Sequence, residues 1–179
     1  MQKIRTKDLV IIGILMTVNV AGSFIAVATK VPLLLDHIGT MMICLIFGWK
    51  LAVISAFASS CIMTILFDPY ALPFAPTGML MIFMVGLFLE FNIFNKLTTP
   101  FAMALAVLPG AILGAIIAGY IFGGVTSSGS SIIVRFLINM KLNPAVAVFI
   151  VQYFMEYLDR LMSFYLVNNI YKRLNLDTL

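Results

Sequence analysis

The sequence predicts an all-α polytopic membrane protein: a bundle of six transmembrane helices forming a single domain over residues 1–179, with both termini cytoplasmic. Three observations lead there. Hydrophobic residues make up 63% of the chain and charged residues only 10%, against the roughly 25% charged of a soluble domain. Long apolar runs recur, broken by short polar or proline-bearing stretches, and about 20 apolar residues suffice to cross a bilayer. The basic residues fall unequally between the breaks, so the net charge of +4 reads as loop topology. No basic cluster with interleaved aromatics is present, and no nucleic-acid partner is expected; the partner of the surface is the lipid bilayer.

The first span runs from about Leu9 to Thr29, behind Lys3, Arg5 and Lys7. A basic start, an apolar run and Ala26-Val27-Ala28 imitate a secretory signal, but such h-regions stop at about 15 residues, so this span reads as a retained helix. Gly13, Thr17 and Ala21 recur every fourth residue and make a groove of small side chains into which another helix can pack. Asn19, in mid-span, suits an interhelical hydrogen bond. The stretch Lys30 to His37 carries a proline and both signs of charge and reads as a loop. A short second span covers about Ile38 to Gly48, and either begins earlier through Leu33 to Leu35 or is tilted and partly buried in protein. Trp49 and Lys50 mark an interface, an aromatic ring at headgroup depth with a cation beyond it.

The third span, Leu51 to Phe67, carries Ala52, Ala56 and Ser60 as a second small-residue ridge. Asp68 to Thr77 contains Pro69, Pro73 and Pro76, which predicts a rigid loop presenting Tyr70 and Phe74 to whatever lies beneath. The fourth span is then Gly78 to Phe94, with Glu90 in its last turns. Pro100 opens the fifth, where a missing N–H costs little. Its two small-residue lines, Gly110/Gly114/Ala118 and Ala111/Ala115/Gly119, place it centrally in the bundle. Gly123 to Ser131 (GGVTSSGSS) follows, a hydroxyl-rich loop hinged on Gly123, Gly124 and Gly129 that suits either a solvated turn or a cover over a small polar molecule. Ile132 to Met140, with Arg135, is too short to span and reads as a half-helix. Asn143 caps and Pro144 starts the sixth span, which continues to about Tyr171, roughly 40 Å long.

With the N-terminus cytoplasmic, Lys3, Arg5, Lys7, Lys50, Lys96, Lys172 and Arg173 fall inside and only Lys30, Arg135 and Lys141 outside. The three elaborate loops, after the first, third and fifth spans, then share the external face. In the sixth span Gln152, Glu156, Asp159 and Ser163 repeat at helical spacing on one face, with Tyr153, Tyr157 and Arg160 beside it. A charge at mid-membrane costs at least about 2.5 kcal/mol, so this face must point into the bundle, into a wet cavity or at partners. Glu156 and Arg160 are one turn apart and spaced to pair; Asp159 and Arg160 fit a structural pair as well as a functional role.

Catalytic chemistry is missing. The one histidine, His37, stands in a loop beside Asp36; no metal-ligand cluster, nucleophile elbow or phosphate-cradling loop is present, so neither an enzyme nor a cofactor is expected. Cys44 and Cys61 lie in apolar runs and read as reduced packing residues.

The basic start before a small-residue first helix, the second span opening LDHIGTMMICLIFGW, the loop GGVTSSGSS and the last helix reading QYFMEYLDRLMSF together resemble an S component, the substrate-binding membrane subunit of energy-coupling factor (ECF) vitamin transporters. The resemblance covers nearly the whole chain. It implies a multi-pass protein of a prokaryotic cell membrane that binds a vitamin or precursor near the external face under its first, third and fifth loops. It also implies docking through the first helix on a membrane coupling (T) subunit driven by two cytoplasmic ATPase subunits. Family members carry Ala-x-x-x-Ala on that helix; here Gly13 and Thr17, extended by Ala21, hold the equivalent small positions.

The ligand-binding residues expected are Tyr70, Phe74, Thr126, Ser127, Ser128, Ser130, Gln152, Tyr153 and Glu156. Aromatic faces with hydroxyls, an amide and a carboxylate suit a small, flat, polar heterocycle, with pyridoxine or hydroxymethylpyrimidine as the best fits. Two other classes compete. A stand-alone secondary transporter would need coupling-ion ligands and paired interrupted helices, and no internal repeat is visible. A membrane sensor domain would need an output domain, whereas this chain ends soon after Lys172 and Arg173.

Overall fold

The structure, a computed structural model, describes residues 5–30, 35–123 and 129–174. Every regular element among them is helical: α1 (Thr6–Thr29), α2 (Ile38–Phe47), α3 (Trp49–Leu66), α4 (Ala71–Glu90), α5 (Ile93–Lys96), α6 (Thr99–Ile116) running on into a π-helical turn (Ile117–Ile121), α7 (Ser131–Asn139) and α8 (Pro144–Arg173). Four helices are long and apolar enough to cross a membrane: Thr6–Thr29, Trp49–Leu66, Ala71–Glu90 and Thr99–Ile121. The ten-residue α2 is apolar but short, and the 30-residue α8 carries the interior charges. Leu33, Leu34, Gly124, Thr126, Ser127 and Ser128 lie outside the described residues.

The short α2 lies at the heart of the bundle, against α1, α3, α4 and α8, while α4 and α8 flank α6. Met41, Ile43, Met81, Ile82, Met103, Val107 and Val167 are fully enclosed between these helices. A smaller apolar cluster, Ala115, Ala118, Val134, Ala147, Val148 and Val151, joins the end of α6 to α7 and the start of α8. Of the four long apolar helices α6 is the most enclosed, as its two small-residue lines predict. Its Gly114 admits the Gln152 amide and its extension's Gly119 admits the Ala145 backbone of α8, where any Cβ would collide.

Asn19 shows why a polar residue is stable inside α1. Its Nδ2 donates to Thr40 Oγ1 (2.6 Å), and its Oδ1 accepts from the Gly39 and Thr40 amides (2.7 and 3.3 Å), which belong to the first turn of α2 and have no intrahelical acceptor. The interhelical hydrogen bond expected from sequence is therefore a side-chain cap supplied by a neighbouring helix. Asn19→Ala should cost about 1–2 kcal/mol in detergent unfolding, because two amides lose their acceptor in a site closed to water. A loss under a few tenths of a kcal/mol would show that the cap contributes nothing net.

One expectation is corrected. The Asp68–Thr77 stretch is not a loop: α4 starts at Ala71, and the fourth span is Ala71–Glu90 in place of Gly78 to Phe94. Pro73 is the third residue of that helix, where an amide has no intrahelical acceptor, so it costs nothing there. Pro76 gives up one bond, to the Leu72 carbonyl, and neighbouring Ala75 and Thr77 are buried on the inner face. The second span keeps its expected start at Ile38. Leu35 has φ +51°, a left-handed conformation that ends any helical run. That strained residue is held from two sides: its amide donates to Asp159 Oδ1 (3.3 Å), and its carbonyl occupies the space that Gly22 leaves open on α1.

Candidate functional site

Asp36 and His37 before α2, Asp68 and Tyr70 between α3 and α4, and Ser130 before α7 meet at a partly enclosed cavity of about 110 Å³, room for several waters or a small ring. Each wall traces to a local cause. α1 contributes Ser23, one turn after Asn19 on the buried face. The α1–α2 connection contributes Asp36 and His37, the latter standing at the N-cap position of α2. The last turns of α3 add Ser60 and Met63. The α3–α4 junction adds Asp68, Tyr70 and Phe74, fixed by the Tyr70 amide donating to Asp68 Oδ1 (3.1 Å). From α8 come Gln152, Glu156, Asp159 and Arg160.

A buried charge network forms the floor. Arg160, 4% exposed, donates from Nη1 to Asp36 Oδ1 (2.9 Å) and to its neighbour Asp159. The His37 Nδ1 lies 2.7 Å from Asp36, close as an ion pair but off the line of a hydrogen bond. Burial works against the ionised form of Asp36, but the charges of His37 and Arg160 beside it outweigh that penalty and hold its carboxyl below the usual range. Glu156 takes no part in these ion pairs; Gln152, one turn earlier on α8, lines the cavity beside it. The Glu156–Arg160 pairing that their spacing allows is replaced by Asp36, which approaches from a different segment of the chain. Besides His37 Nδ1, three buried polar atoms on lining residues have no hydrogen-bond partner among the described residues: His37 Nε2, Gln152 Oε1 and Arg160 Nε.

The wall near the α3–α4 junction is aromatic. Phe122, after the π-helical turn, packs edge-on against Tyr70 (centroids 5.1 Å) and stacks on Phe74 (5.9 Å), so both rings are backed where they border the cavity. The π-helical turn carries the end of α6 toward this junction.

Of the expected ligand-binding residues, Tyr70, Phe74, Ser130, Gln152 and Glu156 line the cavity together. Thr126, Ser127 and Ser128 fall outside the described residues. Tyr153 is not among the lining residues: it points to α6, donating its hydroxyl to the Ala104 carbonyl (3.2 Å) and stacking on Phe149. The face count on α8 placed it beside Glu156, but a helical residue 100° round from a cavity wall meets the neighbouring helix. Sequence reasoning missed Ser23, Asp36, His37, Asp68 and Thr77 as lining residues. Their visible signal is that Asp36, His37 and Asp68 are titratable groups set at span ends in a chain with few charges. On α1, Gly13, Thr17 and Ala21 all lie exposed on the outer face, away from the cavity, with Thr17 Oγ1 donating back to the Gly13 carbonyl (3.0 Å).

No family model, curated protein or solved structure matches this chain.

Proposed function

We propose that the chain is a substrate-binding S component of an ECF-type importer of the cell membrane. It captures a small water-soluble vitamin or precursor at the external face and passes it inward with a membrane coupling subunit and two cytoplasmic ATPases. The observation that carries this reading is the cavity itself: five of the residues expected to bind ligand converge on one partly enclosed, polar and aromatic space. Such a site, concave and with a few convergent polar groups, is built for binding. Its size and aromatic wall suit pyridoxine or hydroxymethylpyrimidine.

The outer face of α1 supports the docking half of the proposal. Gly13 has no neighbouring atom within 4 Å of where a Cβ would stand, and the Thr17 hydroxyl is satisfied within its own helix, so the strip offers close backbone approach without a polar cost. Gly13→Trp or Thr17→Trp should abolish ATP-dependent uptake in vesicles that also hold the coupling subunit and ATPases, while ligand binding by the isolated protein stays within about twofold. Binding that falls in step with uptake would defeat the docking assignment. Co-purification tests the class: an S component brings down a membrane coupling protein and ATPases, whereas transport by the chain alone would make it a secondary carrier.

A further inference from the structure

Among the described residues the cavity walls carry four carboxyl groups, Asp36, Asp68, Glu156 and Asp159, against one guanidinium, Arg160, and one imidazole, His37. Even with Asp68 set aside as engaged at the α3–α4 junction and the imidazole counted as a cation, acids exceed bases by one. A surplus of this kind in a buried space must be neutralised by protons or by a cation, since isolated charges there are strongly disfavoured.

The carboxyl groups are not equivalent. Asp36 and Asp159 both engage Arg160, and Asp68 accepts from the Tyr70 amide at the α3–α4 junction. Glu156 is 9% exposed, lines the cavity and makes no ion pair among the described residues. Gln152, one turn earlier on the same helix, brings a neutral amide to the same wall. Across the same cavity stand Tyr70 and Phe74, whose ring faces attract positive charge. The unpartnered Oε1 of Gln152 is a further acceptor, and the unpartnered Nε of Arg160 is a donor.

We infer that the cavity recognises a small flat ligand bearing a protonated or permanently charged nitrogen, with Glu156 as its counter-ion and the Tyr70 and Phe74 rings flanking it. This rests on reading the cavity as a ligand site and narrows that ligand to cationic heterocycles or amidine-like groups. Arg160, already shared by two carboxylates, contributes only a hydrogen bond from Nε to an acceptor elsewhere on the ligand. An anionic vitamin would have to approach Glu156 with like charge and leave the acid surplus uncompensated.

The test uses the purified full-length chain in detergent and three probes of one shape and different charge: benzamidine, benzamide and benzoate. Binding of each is read by calorimetry at millimolar concentration near neutral pH. Benzamidine should bind at least about tenfold tighter than benzamide, and benzoate weakest. Glu156→Gln, which keeps size and hydrogen-bonding capacity, should bring benzamidine and benzamide within about threefold of each other, and an unchanged melting temperature of that variant would show that folding is not the cause. Equal affinity for the three probes, a preference for benzoate, binding of none of them, or a benzamidine preference that survives in Glu156→Gln would each overturn the inference. The importer proposal fails separately. If benzamidine is preferred and the coupling subunit and ATPases never co-purify, the cation site stands and the S-component reading falls; the reverse pattern sinks only the cation site.

Discussion

Arg160→Met should destabilise the protein by about 3–5 kcal/mol, the largest loss expected from a single side chain here, because it removes the one guanidinium from a floor it shares with Asp36 and Asp159. The two carboxylates then lose the cation they share, in a largely buried site where only His37 stands beside Asp36. The α1–α2 connection is also involved, since Asp36 belongs to it and Asp159 accepts from the Leu35 amide. Adding Asp36→Asn and Asp159→Asn to Arg160→Met should recover most of the loss, because neutral amides of the same size need no cation. Unfolding in detergent by denaturant, followed by helical signal, measures both. A loss below about 1 kcal/mol in the single variant, or no recovery in the triple, would mean that the network does not hold the two segments together.

Gly39→Ala should be comparably harmful although it adds one methyl group. A Cβ on Gly39 would land on the Leu15 carbonyl of α1, a backbone atom that cannot rotate away. The helices must separate or shift, and either movement pulls the Gly39 and Thr40 amides off Asn19. Overpacking alone costs about 1–3 kcal/mol, and the lost cap adds to it, so a total of about 3 kcal/mol is expected. Gly13→Ala on the same helix pair provides the contrast: nothing stands near that position, so it should change stability by no more than about 0.5 kcal/mol, and favourably if at all, since alanine is the better helix former. If the two variants behave alike, close backbone approach is not what fixes α1 on α2.

One prediction concerns the contact of the α1–α2 connection with α8 and the other the packing of α1 on α2, and the candidate site depends on both. The cavity floor takes Asp36 and His37 from the α1–α2 connection and Asp159, Arg160 and Glu156 from α8. Neither set makes a site alone. The Asn19 cap and the Leu35–Asp159 bond seat the connection on α8, and the α3–α4 junction then closes the aromatic side with Tyr70 and Phe74. Stability of this end of the bundle and shape of the cavity therefore rest on the same hydrogen bonds.

The sequence by itself determined the class of molecule and most of its helices. Period and length of the apolar runs require helices that satisfy their own backbone in lipid, and Asn143-Pro144 at the start of α8 carries its own cap, Asn143 Oδ1 accepting from the Ala145 amide at 2.9 Å. It also determined that one face of α8 must turn inward, because Gln152, Glu156, Asp159 and Arg160 are too costly to expose to hydrocarbon. Only the tertiary structure decided what that face meets. Periodicity describes one helix at a time; it made Arg160 a partner for Glu156 one turn away, whereas the bundle brings Asp36 from 124 residues earlier to 2.9 Å. It also turned Tyr153 to the Ala104 carbonyl and left Glu156 in the cavity without an ion pair. The same limit explains α4: proline costs helix stability locally, but Pro73 in a first turn costs nothing, and burial of Ala75 and Thr77 carries the helix through Pro76. Which charge pairs with which, and which proline is tolerated, depend on distances between segments far apart in the chain, and those distances exist only once the helices have packed.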